Sequence, residues 1–164
     1  MIPEMPRPLP VERVGATGLD FTVTATPAEC AAMAMRLGVP EVAELSCVFR
    51  LKPAKSGAIL AEGRLRARLT RICVVSLDPF VASIDERFRV RFVPEGREDP
   101  ELDPESDDEI PYAGTVIDLG EAAAEQLALV LDPYPRKPGA DLPEAPGEAP
   151  DSPFAALARL KRPS

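Results

Sequence analysis

Alternating apolar and polar residues predict four β-strands in the first half of the chain. They cover Leu19–Ala25, Leu45–Lys52, a run from Ile59 to about Val75, and a run that ends at Phe92–Val93. A period of two places the apolar side chains of each strand on one face. Short turns connect the last three strands, so the pattern predicts an antiparallel meander with one buried and one solvated face.

Two helices are predicted from capping signals and from the helical spacing of apolar residues. The first helix begins after Thr26, because Pro27 suits the first helical position and Glu29 completes a capping box. It ends at Gly38, which adopts the left-handed conformation without strain. The second helix begins after the capping residue Asp118 and ends at an Asp-Pro pair.

The order of these elements predicts an α+β fold. We expect one antiparallel sheet of four to six strands, since a short strand is also indicated at Thr115–Ile117. Two main helices are expected on one face of the sheet, and a short C-terminal helix after a proline-rich linker. The predicted organisation is a flexible arm at 1–10, a single domain at 11–132 with an acidic disordered loop at 94–111, a linker at 133–151 and a short helix at 152–164.

The acidic character of the chain comes from one segment. The formal net charge is −8, and residues 95–109 hold nine carboxylates against the single base Arg97. The rest of the chain has 18 acidic and 18 basic residues and is neutral. A high charge of one sign with little to bury is typical of disorder. The overall acidity is therefore weak evidence against a polyanionic partner.

The residue types present predict that the protein is not an enzyme. The absence of histidine removes the commonest general base, histidine-activated nucleophiles and most zinc ligand sets. No glycine-rich phosphate-binding motif occurs. The three cysteines are far apart in sequence and indicate neither a disulfide framework nor a metal site. We therefore expect no cofactor and no metal.

The sequence gives no indication of a membrane-spanning or secreted protein. It lacks an apolar run of about 18 residues, and its N-terminus lacks the order of a secretory signal. An odd number of cysteines suits a reducing compartment. We expect a cytoplasmic protein that does not contact membranes, and its oligomeric state stays open.

Arginines alternate with apolar residues on the third and fourth strands, which places each set on one face. If these strands pair as a hairpin, both sets share the solvated face, since both apolar sets must share the core. Facing like charges destabilise a sheet unless counter-charges intervene. The six arginines are Arg64, Arg66 and Arg68 on the third strand and Arg87, Arg89 and Arg91 on the fourth.

The sequence leaves two possible sources of counter-charge for the six arginines. Glu62, Asp85 and the acidic loop could balance the arginines within the protein, and the face would then be only solvated. An outside polyanion such as RNA could do so instead, through contacts between guanidinium groups and phosphates. Base stacking is not predicted, because no aromatic residue is interleaved on this face. The six arginines are therefore candidate RNA-binding residues.

The last residues predict a short amphipathic helix after Ser152. Phe154, Leu157 and Leu160 recur at helical spacing on one side of it. A helix of this length is not stable alone in water. We therefore expect its apolar side to dock on a partner protein or back on its own domain.

Three segments of the chain, in this order, resemble the YceD family. They are Cys73–Phe80 (CVVSLDPF), Ile117–Leu129 (IDLGEAAAEQLAL) and Ser152–Lys161 (SPFAALARLK). No segment identifies the family by itself, but the order and spacing of the three segments do. The segments are most similar to those of alphaproteobacterial members. The resemblance implies a non-enzymatic role in the accumulation of 23S ribosomal RNA of the large subunit, through its synthesis, processing or stability.

The resemblance also bears on metal binding. Many members carry a second cysteine at the position of Ser76, and a further His or Cys after the helix that ends here at Leu131. This chain instead continues from that helix as DPYPRKP, residues 132–138. If those positions bind zinc in relatives, the site has been lost here as a unit.

The leading hypothesis is a ribosome-assembly factor whose partner is large-subunit rRNA, its precursors, a ribosomal protein, or a combination of these. The main alternative is an acidic adaptor or chaperone for a basic ribosomal protein, which would use residues 95–109 and the terminal helix. A carboxylate-based hydrolase is a third interpretation, and it would need two acids that converge in one pocket.

Overall fold

The computed structural model describes residues 2–97 and 107–140, and these residues form seven strands and two α-helices. Two single-turn 3-10 helices, Val11–Arg13 and Lys55–Gly57, lie in connections. The strands are β1 (Pro8–Pro10), β2 (Leu19–Thr24), β3 (Glu41–Pro53), β4 (Ile59–Ile72), β5 (Pro79–Pro94), β6 (Asp108–Tyr112) and β7 (Val116–Asp118), and the helices are α1 (Pro27–Leu37) and α2 (Leu119–Val130).

The main sheet has five strands in the order β2-β3-β4-β5-β6. The first four strands pair antiparallel with their sequence neighbours, as the alternating pattern predicts. Strand β6 instead pairs parallel with the end of β5, from Val90 opposite Asp108 to Pro94 opposite Tyr112. It therefore begins inside the segment predicted as an acidic loop.

A second sheet joins the N-terminus to the strand before α2. Strands β1 and β7 pair antiparallel, with Leu9 opposite Ile117. Met5 and Leu9 are buried at 1% and 0% exposure. The described part of residues 1–10, expected from its prolines to be a flexible arm, thus contributes to the core.

One core lies between the helices and the inner face of the main sheet. Alternate residues of β3 and β4, such as Phe49 and Leu65, are fully buried there. The helices add Met33 from α1 and Leu127 from α2 to the same cluster. Burial of these apolar side chains is the main stabilising contribution to the fold.

The helix ends follow the local sequence signals. Thr26 and Glu29 form the predicted capping box, and Gly38 ends α1 with φ of 65°. At the start of α2, the Asp118 side chain accepts a hydrogen bond from the Glu121 N–H at 3.1 Å. Both predicted helix starts are confirmed.

The predicted arrangement is wrong although the class is α+β. The sheet is mixed rather than wholly antiparallel, and a separate two-stranded sheet exists. The described residues hold two helices, since the third predicted helix at 152–164 lies outside them, as do 98–106 of the acidic loop and 141–151 of the linker. The sequence pattern alone contains no signal for parallel pairing of a short acidic strand.

Candidate nucleic-acid interface

The structure brings the six predicted arginines together on the outer face of the main sheet, opposite the core. We call this surface the arginine face. Arg64 lies directly opposite Arg87 on the neighbouring strand, and Arg66 lies opposite Asp85. The intervening residues of β4, such as Leu65, are buried on the other side. The register therefore places both arginine rows side by side.

Asp85 is the main counter-charge on β4 and β5, as expected. Its carboxylate accepts two hydrogen bonds from Arg64 at 2.9 Å each, and it lies 3.6 Å from the Arg66 guanidinium. The hydrogen bond from Arg64 is the largest cause that lowers the pKa of Asp85. Glu62, the other expected counter-charge, faces Arg89 but lies beyond ion-pair distance of any base in the described residues.

A carboxylate outside the two arginine strands completes the balance of the first row. Glu44 of β3 pairs with Arg68 at 3.1 Å. The sequence pattern does not reveal Glu44, because a bulge between Val42 and Glu44 shifts the register of β3. Only the strand pairing itself could have shown that this side chain reaches the arginine face.

The acidic segment supplies two further counter-charges to the second row. Asp107 lies 3.6 Å from Arg89, and Glu109 lies 3.7 Å from Arg91. Parallel pairing of β6 with β5 produces both contacts, because it runs the end of the acidic segment along the arginine strand. The described end of that segment is thus held against the arginine face.

Arg87 differs from the other five arginines. It is exposed, faces Arg64 across the strands, and has no carboxylate within ion-pair distance among the residues the structure describes. It borders a shallow depression of about 580 Å³ that Arg50 and Arg66 also line. Val48, half exposed, forms an apolar part of this surface.

This arrangement presents guanidinium groups to solvent, and five of the six already contact a carboxylate. Exposed ion pairs stabilise proteins by about 0–1 kcal/mol, so a phosphate can compete for the same guanidinium groups. Guanidinium forks match phosphate oxygens in a bidentate geometry. The aromatic side chains Phe88 and Phe92 of β5 lie on the core side, in register with Gly63 and Ile59. The arginine face therefore offers charge and hydrogen bonds rather than stacking.

Cys73 and the segment after α2 lie next to each other. The Val74 N–H donates to the Pro135 carbonyl at 2.9 Å, and Cys73 is fully buried. Hydrogen bonds from the Ser76 hydroxyl, and then from the N–H groups of Ser76 and Lys137, lower the pKa of the Cys73 thiol to about 6. The thiol is thus surrounded by donors.

These residues do not fit a metal ion. A structural zinc site needs about four sulfur or nitrogen ligands, and this place offers one thiol, which accepts hydrogen bonds from the Ser76 N–H and hydroxyl. In the described part of the chain, no group of three or more His, Cys, Asp or Glu side chains could hold a metal ion.

Acidic side chains also line a groove of about 300 Å³ between α2 and β6. Asp118 caps α2 and accepts the Arg7 N–H, and Glu121 pairs with Arg36 at 2.8 Å. Glu125 makes no ion pair with a described residue, and burial raises its pKa. Two of the three carboxylates in this groove are therefore engaged by the fold.

The other predicted binding residues, Phe154, Leu157 and Leu160, lie outside the described residues. None of the helices in the described ranges is long and apolar enough to cross a membrane.

The fold and its charged sheet face define an α+β domain with two arginine rows on the outer side of its main sheet. The chain belongs to the YceD family, since residues 61–161, more than half of the chain, match the family described as Large ribosomal RNA subunit accumulation protein YceD. The matched region begins in β4 and includes both arginine rows. Comparison with curated proteins and with solved structures finds no match.

Proposed function

We propose that this protein is a non-catalytic factor that supports the accumulation of 23S rRNA in the cytoplasm and that its arginine face contacts the RNA. The family description supports the link to large-subunit RNA. The contact would act during synthesis, processing or protection of that RNA.

The proposal depends on one observation above all: Arg87 lies beside Arg64 on the neighbouring strand. Two guanidinium groups face each other across neighbouring strands, and one of them lacks a carboxylate within ion-pair distance in the described residues. Like charges placed directly opposite destabilise a sheet. A bound phosphate would reduce that repulsion, and an RNA backbone is the counter-charge that we propose for Arg87.

The proposed contact is an exchange of counter-charges. Asp107 and Glu109 lie 3.6 Å and 3.7 Å from their arginines, longer than a direct hydrogen bond. RNA phosphates would displace these two carboxylates, and the arginines would then follow the backbone without reading bases. Binding of this kind depends steeply on salt.

The test compares two double variants that remove the same charge. Arg87→Ala with Arg89→Ala removes two arginines from the face, and Arg13→Ala with Arg136→Ala removes two exposed arginines elsewhere. We expect the first pair to weaken binding to a 23S precursor fragment by about tenfold or more and to reduce the slope of log K against log salt by about 1–2. Equal binding by the two double variants would overturn the RNA contact.

A second candidate function has one observation in its favour. The end of the acidic segment already lies against arginines of the sheet, so this segment is able to engage basic side chains. A chaperone for a basic ribosomal protein would use the same chemistry in trans. It predicts that such a protein co-purifies with the full chain and is lost when residues 95–109 are deleted, whereas RNA binding then persists or increases.

A further inference from the structure

The inner face of the main sheet is covered unevenly. Inward residues of β3 and β4, such as Phe49 and Leu65, are fully buried. The corresponding residues in the first part of β5 remain partly exposed. We call them the open β5 row: Phe80, Ala82, Ile84 and Phe88.

The dimensions of the layers explain this gap. Strands lie about 4.8 Å apart, so five strands span about 20 Å between the outer axes, and side chains widen the face further. Helix α1 packs on β3, and α2 packs mainly on β4, β1 and β2. Two helices about 10 Å wide therefore leave the inner side of the first part of β5 only partly covered by the described residues, although Ile84 and Phe88 pack against the edge of the core.

The far edge of β5 is open along the same length. Strand β6 pairs only with Val90–Pro94, so residues 79–89 have a partner on the β4 side alone within the described chain. An open edge beside partly exposed apolar side chains is usually covered in stable proteins. A segment that packs on the open β5 row must therefore be apolar on the side that contacts this row.

Charge adds a second requirement. Glu86 lies in the same row between Ile84 and Phe88, and it makes no ion pair with a described residue. Glu125 on α2 also lacks one, next to the exposed Leu129 in a groove that reaches Val90. The segment that packs on the open β5 row should therefore carry an apolar stripe and a basic side chain next to it.

The end of this chain has both properties. Phe154, Leu157 and Leu160 form one stripe at helical spacing. On the same helical wheel Lys161 falls within the arc of that stripe, just after Leu160 at its C-terminal end, and Arg159 lies on the opposite side. The segment is too short to form a stable helix without a surface to pack on.

The described chain also ends close enough to reach the row. The Val74 N–H bonds to the Pro135 carbonyl and the Cys73 N–H to the Asp78 carbonyl, both at 2.9 Å, which places residue 135 beside the start of β5. Twelve residues from Ala140 to Ser152 span up to about 40 Å when extended. The open β5 row is about 30 Å long, so every part of it is within reach.

We propose that residues 152–161 pack as a helix on the open β5 row of the same molecule, with the stripe of Phe154, Leu157 and Leu160, about 9 Å long, against Ile84 and one phenylalanine of the row, Phe80 or Phe88. Lys161 then lies on the side of the acidic groups Glu86 and Glu125. This third helix, about 15 Å long, would cover about half of the open β5 row. The inference does not depend on RNA binding, because the arginine face lies on the other side of the sheet.

The experiment uses methyl and aromatic NMR on the full chain. We expect NOEs between the Leu157 or Leu160 methyls and the rings of Phe80 or Phe88, unchanged on tenfold dilution. Leu157→Asp should abolish them and shift the Ile84 methyl signals. Ala155→Asp, on the opposite side of the predicted helix, is the matched control and should leave them in place.

Three outcomes would overturn the proposal. Absence of these NOEs, with Ile84 signals that do not respond to Leu157→Asp, leaves the row free for another protein. NOEs that appear only between differently labelled molecules assign the row to a second copy. Equal loss of the NOEs in both aspartate variants shows that the contact does not follow the predicted stripe.

Discussion

Gly120 lies in the first turn of α2, where alanine usually stabilises a helix by about 1 kcal/mol relative to glycine. Here a Cβ atom would collide with the backbone carbonyl of Met5. We expect Gly120→Ala to lower the free energy of unfolding by about 2–4 kcal/mol, because Met5 and Leu9 lose their burial. Urea unfolding measures this change.

The matched control is Gly15→Ala, since a Cβ atom at Gly15 would have no neighbour within 4 Å and the backbone there is not left-handed. Its free energy of unfolding should stay within about 0.5 kcal/mol of the parent. A Gly120→Ala variant as stable as this control would show that the N-terminal segment does not pack against α2.

Glu29 connects the N-terminal segment to α1 and gives the fold an acid-sensitive contact. Its carboxylate accepts two hydrogen bonds from Arg7 and one from the Thr26 N–H, each at 2.8 Å. Arg7, as the largest cause, lowers the pKa of Glu29 from 4.5 to about 2. This contribution to stability is therefore complete above about pH 5 and is lost as the pH falls toward 2.

We expect Glu29→Gln to remove about 1–3 kcal/mol of unfolding free energy at pH 7 and much less near pH 2. Chemical denaturation at several pH values measures the difference between variant and parent. Glu12→Gln changes an exposed carboxylate and should give a difference that is small at every pH. A constant deficit for Glu29→Gln across this range would contradict an electrostatic origin.

At the scale of elements, strand β6 is held in place by its last residue. The Tyr112 hydroxyl donates to the Gly57 carbonyl at 2.7 Å, and the side chain is buried. We expect Tyr112→Phe to destabilise the protein by about 1–1.5 kcal/mol and to speed hydrogen exchange in β6. Tyr134→Phe, at an exposed tyrosine, is the control, and equal exchange in both variants would contradict this role of Tyr112.

The elements with strong local signals could be predicted from the sequence. The capping box at Thr26 and the period-two runs of β3, β4 and β5 correspond to observed elements, although β3 and β5 extend further than predicted. Strand β1 could not be predicted, because it consists of Pro8, Leu9 and Pro10 and pairs with residues more than 100 positions away. Non-local pairing leaves no periodicity in so short a segment.

The arginine face shows the same division between local and non-local information. Alternation alone predicts that Arg64 and Arg87 share the solvated side, and the register confirms it. The counter-charges Glu44 and Asp107 reach this face through a bulge and through a parallel strand. Neither the bulge nor the parallel strand leaves a signal in the amino-acid composition. The charge balance of the arginine face could therefore be described only from the tertiary structure.

At the scale of the whole molecule, acid and base are separated in sequence but meet on one surface. Residues 95–109 carry the entire net charge of −8, and their described end lies along the second arginine row. At 0.15 M salt, exposed charges interact over about 8 Å. Asp107 and Glu109 are thus close enough to Arg89 and Arg91 to compete with an RNA bound as we propose, whereas a distant carboxylate is not.

This competition predicts a gain of function, which rests on the proposed RNA contact. Asp107→Asn with Glu109→Gln should bind a 23S precursor fragment about three- to tenfold more tightly than the parent at 0.15 M salt. Glu12→Gln with Glu41→Gln changes the net charge equally at two exposed sites away from these arginines. Salt titrations of both variants separate a local effect from a global one. An equal gain in both would mean that only net charge matters, and weaker binding by the first pair would mean that the two carboxylates order the arginines for RNA.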